Sequence, residues 1–234
     1  MKFRVVLGGV LLSVLLGGCI KSLIPDQNVK DLYGFNNFKV DLTLSPSSSA
    51  SARLVDQASA IVAAGSVSRQ VDSSESLGKL PFNPTTLSES VKAKTIRLFA
   101  PQAPLLTTQA ITDDLPLAIN LTSASFDINF TDGTSTVNKT FDATFSPNAI
   151  FQRDDASCSA TFCDYLPVGS AVASLAITIA AQEAKTTLEI LASNQNPKTA
   201  RGDSLIGFAA DPKLANVQQA QMTIETFGGV ISFK

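Results

Sequence analysis

Two neighbouring stretches of this 234-residue chain alternate apolar and polar residues in matched parity, and nothing else in the sequence constrains the fold as tightly. Leu117, Ile119 and Leu121 point one way. Ala124, Phe126, Ile128 and Phe130 point the same way only if one extra residue intervenes. A β-bulge near Thr122-Ser123 would make one bent strand of both, and two strands joined by a tight turn is the other solution. Thr131-Asp132-Gly133-Thr134 supplies hairpin chemistry, because Asp-Gly tolerates positive φ. The partner run carries Val137, Phe141, Ala143 and Phe145 on odd positions. Opposed residues of an antiparallel pair have a constant index sum. A two-residue or a four-residue loop gives an odd sum, and both bring the odd apolar residues against the even ones. The four-residue loop sets Phe130 against Val137 and Phe126 against Phe141.

The rest of the chain reads mostly as strand. Phe38 to Leu44 alternates strictly and ends in Ser45-Pro46-Ser47-Ser48-Ser49. Leu54, Val55, Ala58, Ile61 and Val62 fall on one helical stripe, which predicts a short N-terminal helix over 52–64, with a strand pair as the rival. Residues 66–90 are polar and Ser-rich, a loop unusually long for one domain. Lys94–Phe99 and Leu105–Ile111 are strand candidates, as are Leu175, Ile177 and Ile179 in alternation. A turn at Gln182–Lys185 then leads into Leu188, Ile190 and Ala192 as a further strand. Leu205–Ala209 is a short strand. Val217–Phe227 and Val230–Phe233 flank Gly228-Gly229, either as a closing hairpin or as one strand with a glycine bulge. Together these predict an all-β chain, an antiparallel β-sandwich with a β-barrel as the alternative.

The N-terminus has a different character. Met1-Lys2-Phe3-Arg4 is a short basic head, Val5–Leu16 an apolar run too short to span a bilayer, and Gly17-Gly18 precede Cys19. Leu16-Gly17-Gly18-Cys19 resembles the lipobox of bacterial lipoproteins. The resemblance implies a signal peptide over residues 1–18, diacylglycerol on the Cys19 sulfur and a further acyl group, such as palmitate, on the new amine. Each buried methylene contributes about 0.8 kcal/mol, so two or three chains anchor stably where one is marginal. Ile20 is not the aspartate that the family associates with inner-membrane retention, which points to the outer membrane where one exists. Residues 19–36 then read as the lipidated N-terminus and a tether in which Ile24, Val29, Leu32 and Phe35 could dock locally. Residues 37–234 form a single β-rich domain.

Absences narrow the chemistry. There is no histidine, which removes Ser-His-Asp and Cys-His catalysis, His-ligated metal and a histidine pH switch. Tryptophan is absent and only Tyr33 and Tyr165 carry a phenol, so aromatic platforms for sugars or single strands are missing. The fourteen phenylalanines are assigned to the core. A formal net charge of −2, made more acidic by loss of Lys2 and Arg4, gives no footprint for nucleic acid. With Cys19 acylated, Cys158 and Cys163 remain as an even pair in an exported setting and predict a disulfide.

Weaker candidates are the carboxylate pairs Asp113-Asp114 and Asp154-Asp155, read as solvated loops rather than Ca²⁺ or acid/base sites, and Arg201-Gly202-Asp203, read as a turn rather than an adhesion signal. No catalytic residues, metal ligands or cofactor are assigned. The expected function is a non-enzymatic, lipid-anchored envelope module that presents its β domain for assembly or for binding another envelope protein. The alternative is a carrier of an apolar ligand, a lipid or pigment, in a β-lined cavity.

Overall fold

The computed structural model describes residues 25–29, 31, 33–46, 60–71, 84–101, 108–169, 174–192 and 198–233. Its strands are β1 (Gln27–Val29), β2 (Lys39–Pro46), β3 (Ile61–Val71), β4 (Thr86–Phe99), β5 (Ala118–Thr131), β6 (Thr136–Asp154), β7 (Phe162–Pro167), β8 (Ser174–Ala180), β9 (Lys198–Phe208) and β10 (Gln219–Ser232). Among the described residues two α-helices interrupt them, α1 (Thr108–Asp114) and α2 (Ala181–Ala192). The strands form one antiparallel sheet in the order β1-β10-β2-β3-β9-β5-β6-β7-β4-β8, and β10 also pairs with β4. That last ladder brings the sheet back to itself around the main core, with a smaller apolar cluster under α2.

This is the antiparallel all-β class that the alternation predicts. The wall is uneven, because β4 and β10 pair along almost their whole length whereas β7 meets β4 and β6 over four residues each. Opposite walls pack across the interior as sandwich layers do. Phe227 on β10 meets Phe141 on β6 and Phe126 on β5 at ring-centroid distances of 5.3 and 6.0 Å. Phe126, Ile128, Phe130 and Phe141 are all buried, and Phe145 packs half-buried at the rim of the core.

The β5–β6 hairpin is the one predicted with a four-residue loop: Phe130 lies opposite Val137, and Phe126 opposite Phe141. Against β9 the register shifts by one between Leu121 and Ser123, so the extra residue at Thr122 makes one bent strand of Ala118–Thr131, while on the β6 side residues 145–148 stand opposite Thr122 alone. Asp132 Oδ1 accepts from the backbone N–H groups of Thr134 and Ser135, and Gly133 has φ +87°. The turn is thereby held by side-chain chemistry as well as by the ladder.

Several expectations are corrected. Of the helix expected over 52–64, residues 52–59 lie outside the described ones, while Ile61 and Val62 open β3. Pairing with β2 on one side and β9 on the other overrides their helical spacing. The polar loop expected over 66–90 is strand over 66–71 and 86–90, and residues 72–83 lie outside the described ones. Serines occupy the outward positions of β4 and Glu89 an inward one, which hides the period. Leu105–Ile111 is not a strand where it is described, since Thr108–Asp114 is α1. The turn at Gln182–Lys185 is the first turn of α2, whose buried Ala184, Thr187 and Leu188 form a helical stripe. Leu188, Ile190 and Ala192 are two apart on that same helix and mimic a strand. The strand expected at Leu205–Ala209 is the end of the longer β9. Gly228-Gly229 makes no turn. β10 runs straight through both, paired with Ser90 and Glu89, and its register shifts fall at Thr223–Thr226 instead.

On the N-terminal side, Val29 and Phe35 dock as the sequence allows. β1 pairs with β10 through Gln27, Asn28 and Val29, and Tyr33 and Phe35 are fully buried. α2 closes that end of the sheet, with Ala184 and Leu188 against Leu87, Ile179, Ile231 and Phe233.

One glycine marks a close approach. A Cβ at Gly65 would lie 2.2 Å from the Asp41 carbonyl oxygen and 2.9 Å from Leu42 Cδ2, where β2 and β3 part. Gly65→Ala must therefore shift backbone rather than a side chain. The expected loss is about 1–3 kcal/mol, read as a lower urea midpoint at unchanged slope.

Candidate functional site

The most unusual chemistry of the molecule is inside it. Along β6 the inward row runs Val137, Lys139, Phe141, so the alternation that buries the two apolar residues also buries a lysine. Along β4 the inward row runs Leu87, Glu89, Val91. Tyr33, between β1 and β2, enters the core among Phe130 and Phe227, with ring centroids 5.0 and 5.1 Å away. The three polar groups meet there. Tyr33 Oη donates to Glu89 Oε1 at 3.0 Å, and Lys139 Nζ donates to Tyr33 Oη at 2.8 Å and to the same Glu89 oxygen. The Lys139 and Glu89 side chains are 1% and 0% exposed, which makes this a desolvated pair. Among the described residues, Glu89 Oε2 has no hydrogen-bond partner.

Electrostatics follow from that burial. Loss of water pushes the Glu89 carboxyl up, with Lys139 and the Tyr33 hydroxyl pulling the other way and Glu183 of α2 adding to the rise. Desolvation likewise pushes the Lys139 ammonium down, against the attraction of Glu89. The Tyr33 phenol is raised well above its ordinary value by burial and by Glu89. A buried ion pair of this kind gives weak net stabilisation while intact, yet is costly to break. A general acid or base must reach a substrate. None of the three residues lines the interior cavity, a gap of about 40 Å³ walled by Val91, Leu121, Phe126, Ile206, Met222 and their neighbours.

The sequence-predicted residues lie elsewhere. Cys19 is outside the described residues. Cys158 and Cys163 are disulfide-bonded, with Cα atoms 4.2 Å apart. The bridge closes the excursion between β6 and β7, where Asp154 accepts from the Ala156 N–H and Ser157 Oγ accepts from the Asp164 N–H. Beside it, Arg97 makes a two-pronged contact with Asp164 at 2.7 and 3.0 Å, and its guanidinium lies 3.6 Å from the Phe162 ring centroid.

The weaker candidates resolve into structure. Asp113 and Asp114 are exposed at the end of α1. Arg153 donates to the Thr112 and Leu115 carbonyls there and pairs with Asp155, while Tyr165 Oη donates to the Pro116 carbonyl. Asp154 and Asp155 thus serve a cap and an ion pair. Arg201-Gly202-Asp203 is in mid-strand on β9, not in a turn. Arg201 bonds its own Asp203, and Gly202 faces inward where a Cβ would meet the Phe126 ring at 2.5 Å. Among the described residues, no three His, Cys, Asp or Glu side chains are grouped to hold a metal ion.

Tyr33, Glu89 and Lys139 were not singled out by sequence reasoning. For Lys139 the signal was available, since it is the odd-numbered residue between Val137 and Phe141. Glu89 sits in the Ser-rich stretch, where no period stood out. Searches against family models, curated proteins and solved structures return no match to this chain.

Two outcomes are expected. Lys139→Met leaves the Glu89 carboxyl among aromatic rings without its cation, at a cost of about 3–5 kcal/mol near neutral pH. With its folded pKa raised further above the unfolded one, Glu89 favours the folded state while protonated, and that advantage is lost as pH rises through the folded value. The variant's urea midpoint should fall relative to wild type as pH rises from below the ordinary carboxylate range; a constant difference would contradict the burial argument. Cys158→Ser with Cys163→Ser should lower stability by about 2 kcal/mol, read in the same assay without reductant.

Proposed function

We propose that this chain is a lipid-anchored envelope protein whose β domain is a non-enzymatic assembly or binding module. The observation that carries the reading is the sequence Leu16-Gly17-Gly18-Cys19 at the end of the apolar run Val5–Leu16. Seven residues lie between Cys19 and Gln27, and the eight steps from one to the other reach at most about 29 Å when fully extended. Gln27 begins β1, which is paired to Ile231 of β10, close to where Ser232 pairs with Thr86. An acyl anchor at Cys19 would hold that end of the sheet near the bilayer. The opposite end, with α1 and the Cys158–Cys163 excursion, would then be turned outward.

A binding role has support on the outer face of the sheet. Ile150, Leu166 and Val168 are exposed there at 41%, 43% and 50%. They are neighbours: the Val168 N–H donates to the Ile150 carbonyl, and Leu166 lies opposite Gln152, two residues along the same face. Adjacent exposed apolar side chains of this kind suit a protein partner better than bulk water. The carrier alternative needs an interior space of several hundred Å³. The interior gap beside Phe126 is about 40 Å³, the size of a water molecule or two, which supports a packed module.

The test is Cys19→Ser in cells given a labelled fatty acid. The variant is expected to lose the label and to leave the membrane fraction while keeping its fold. Labelling and membrane retention equal to wild type would overturn the anchor.

A further inference from the structure

A primary amine and a carboxyl group held side by side in a dry core are the two reactants of an amide. We propose that Lys139 and Glu89 condense to an intramolecular isopeptide bond, Lys139 Nζ to Glu89 Cδ, with Tyr33 Oη relaying the proton. The two side chains are 1% and 0% exposed, so no bulk water competes for the carboxyl carbon. Tyr33 Oη accepts from Lys139 Nζ and donates to Glu89 Oε1, which is the geometry of a relay between nucleophile and leaving oxygen. The other carboxyl oxygen, Oε2, has no partner among the described residues. An orphaned buried carboxylate oxygen is costly, and an amide carbonyl in the same place carries far less charge.

The step balances without a co-reactant. Attack requires the neutral amine and the neutral acid. Burial drives both groups in that direction, raising Glu89 and lowering Lys139. The nitrogen lone pair forms the N–C bond at Cδ. One amine proton passes to Tyr33 Oη as the phenol proton passes to Oε1, which already carries the acid's own proton; the Cδ–Oε1 bond then breaks to release water, and the nitrogen keeps its second hydrogen as the amide N–H. Oε2 remains as the amide oxygen. Nothing is oxidised or reduced, and the phenol is regenerated.

The topology gives the bond a mechanical role. β8 pairs with β4 over Thr86–Lys92, and its other edge runs beside β6 with no ladder to it among the described residues. β7 joins β4 to β6 only at the far end, through Ile96–Phe99 and Phe151–Asp154. At the level of Glu89 and Lys139 the wall therefore has a seam. A Glu89–Lys139 bond would tie β4 to β6 across it.

Mass spectrometry decides the proposal on the folded full-length chain, reduced so that the disulfide does not contribute. Peptide mapping removes any contribution from lipid. The expected result is one branched peptide that contains both Glu89 and Lys139, lighter than its two parts by one water, with tryptic cleavage after Lys139 lost. Glu89→Gln should give the same branched peptide by loss of ammonia instead of water. Lys139→Arg should give unlinked peptides of full mass, and Tyr33→Phe should accumulate the linked form at least tenfold more slowly. Unlinked peptides of full mass from the folded wild type would overturn the bond. Linkage of Tyr33→Phe at the wild-type rate would overturn the relay.

Discussion

The two-residue period of an extended strand is the constraint on which the rest of the structure depends. A strand cannot choose which of its residues enter the interior; it can choose only the register, and every second side chain follows. On β6 the register that packs Val137 and Phe141 against Phe130 and Phe126 carries Lys139 in with them. On β4 the row that buries Leu87 and Val91 carries Glu89. Neither charge can be turned out without turning out its apolar neighbours. The interior therefore has to supply each with a partner, and Tyr33 supplies the third vertex. The charged cluster follows from the sheet's parity and is not an insertion into it.

That constraint also explains what the sequence revealed. Where apolar residues alternate, as in Phe126, Ile128 and Phe130 against Val137 and Phe141, the hairpin and its buried face were legible from parity, whereas a two- and a four-residue loop fitted equally and the bulge had a two-strand rival, so the ladder itself decided both. Where an inward polar residue fell among serines, the pattern disappeared. Glu89 did this for β4. Short strips failed for another reason: Leu188, Ile190 and Ala192 satisfy a period of two, and Ala184, Thr187 and Leu188 satisfy a helical one, so only tertiary contact with Leu87 and Phe233 decides. The Gly228-Gly229 pair misled because turn chemistry permits a turn without requiring it. Ladders on β10 through Ser90 and Glu89 hold the chain extended. Of the candidate sites, the disulfide was legible from counting cysteines. The Tyr33–Glu89–Lys139 cluster required three distant segments to be brought together, which no local pattern encodes.

The two ends of the sheet are held by different means. At the end with α1, the last carbonyls of the helix are taken by Arg153 and the following turn by Tyr165, and the Cys158–Cys163 bridge with the Arg97–Asp164 pair fixes the approach to β7. Directed, charge-assisted contacts compensate there for a strand only six residues long. At the end with α2, the contacts are mostly apolar, with one exception. Lys198 is buried and donates from Nζ to the Leu191 carbonyl at 2.7 Å, so a cation sits at the negative end of the helix.

The N-terminal attachment joins these themes. Three residue pairs between β1 and β10 make a ladder too short to be stable by itself. What fixes the entering chain is the pair of aromatic side chains that follow it. Phe35 meets Phe126 and Phe227 at 6.1 Å, and Tyr33 meets Phe130 and Phe227 at 5.0 and 5.1 Å. Tyr33 adds a hydrogen bond to Glu89, so the segment that leads to the N-terminus is fastened to the buried charges themselves. A load applied through that segment meets the short β1–β10 ladder first, and beyond it is shared by β4 through Glu89, β6 through Lys139 and β10 through Phe227. The three-way contact needs a ring with a hydroxyl at its tip, and Tyr33 is one of only two tyrosines in a chain whose aromatic core is otherwise phenylalanine.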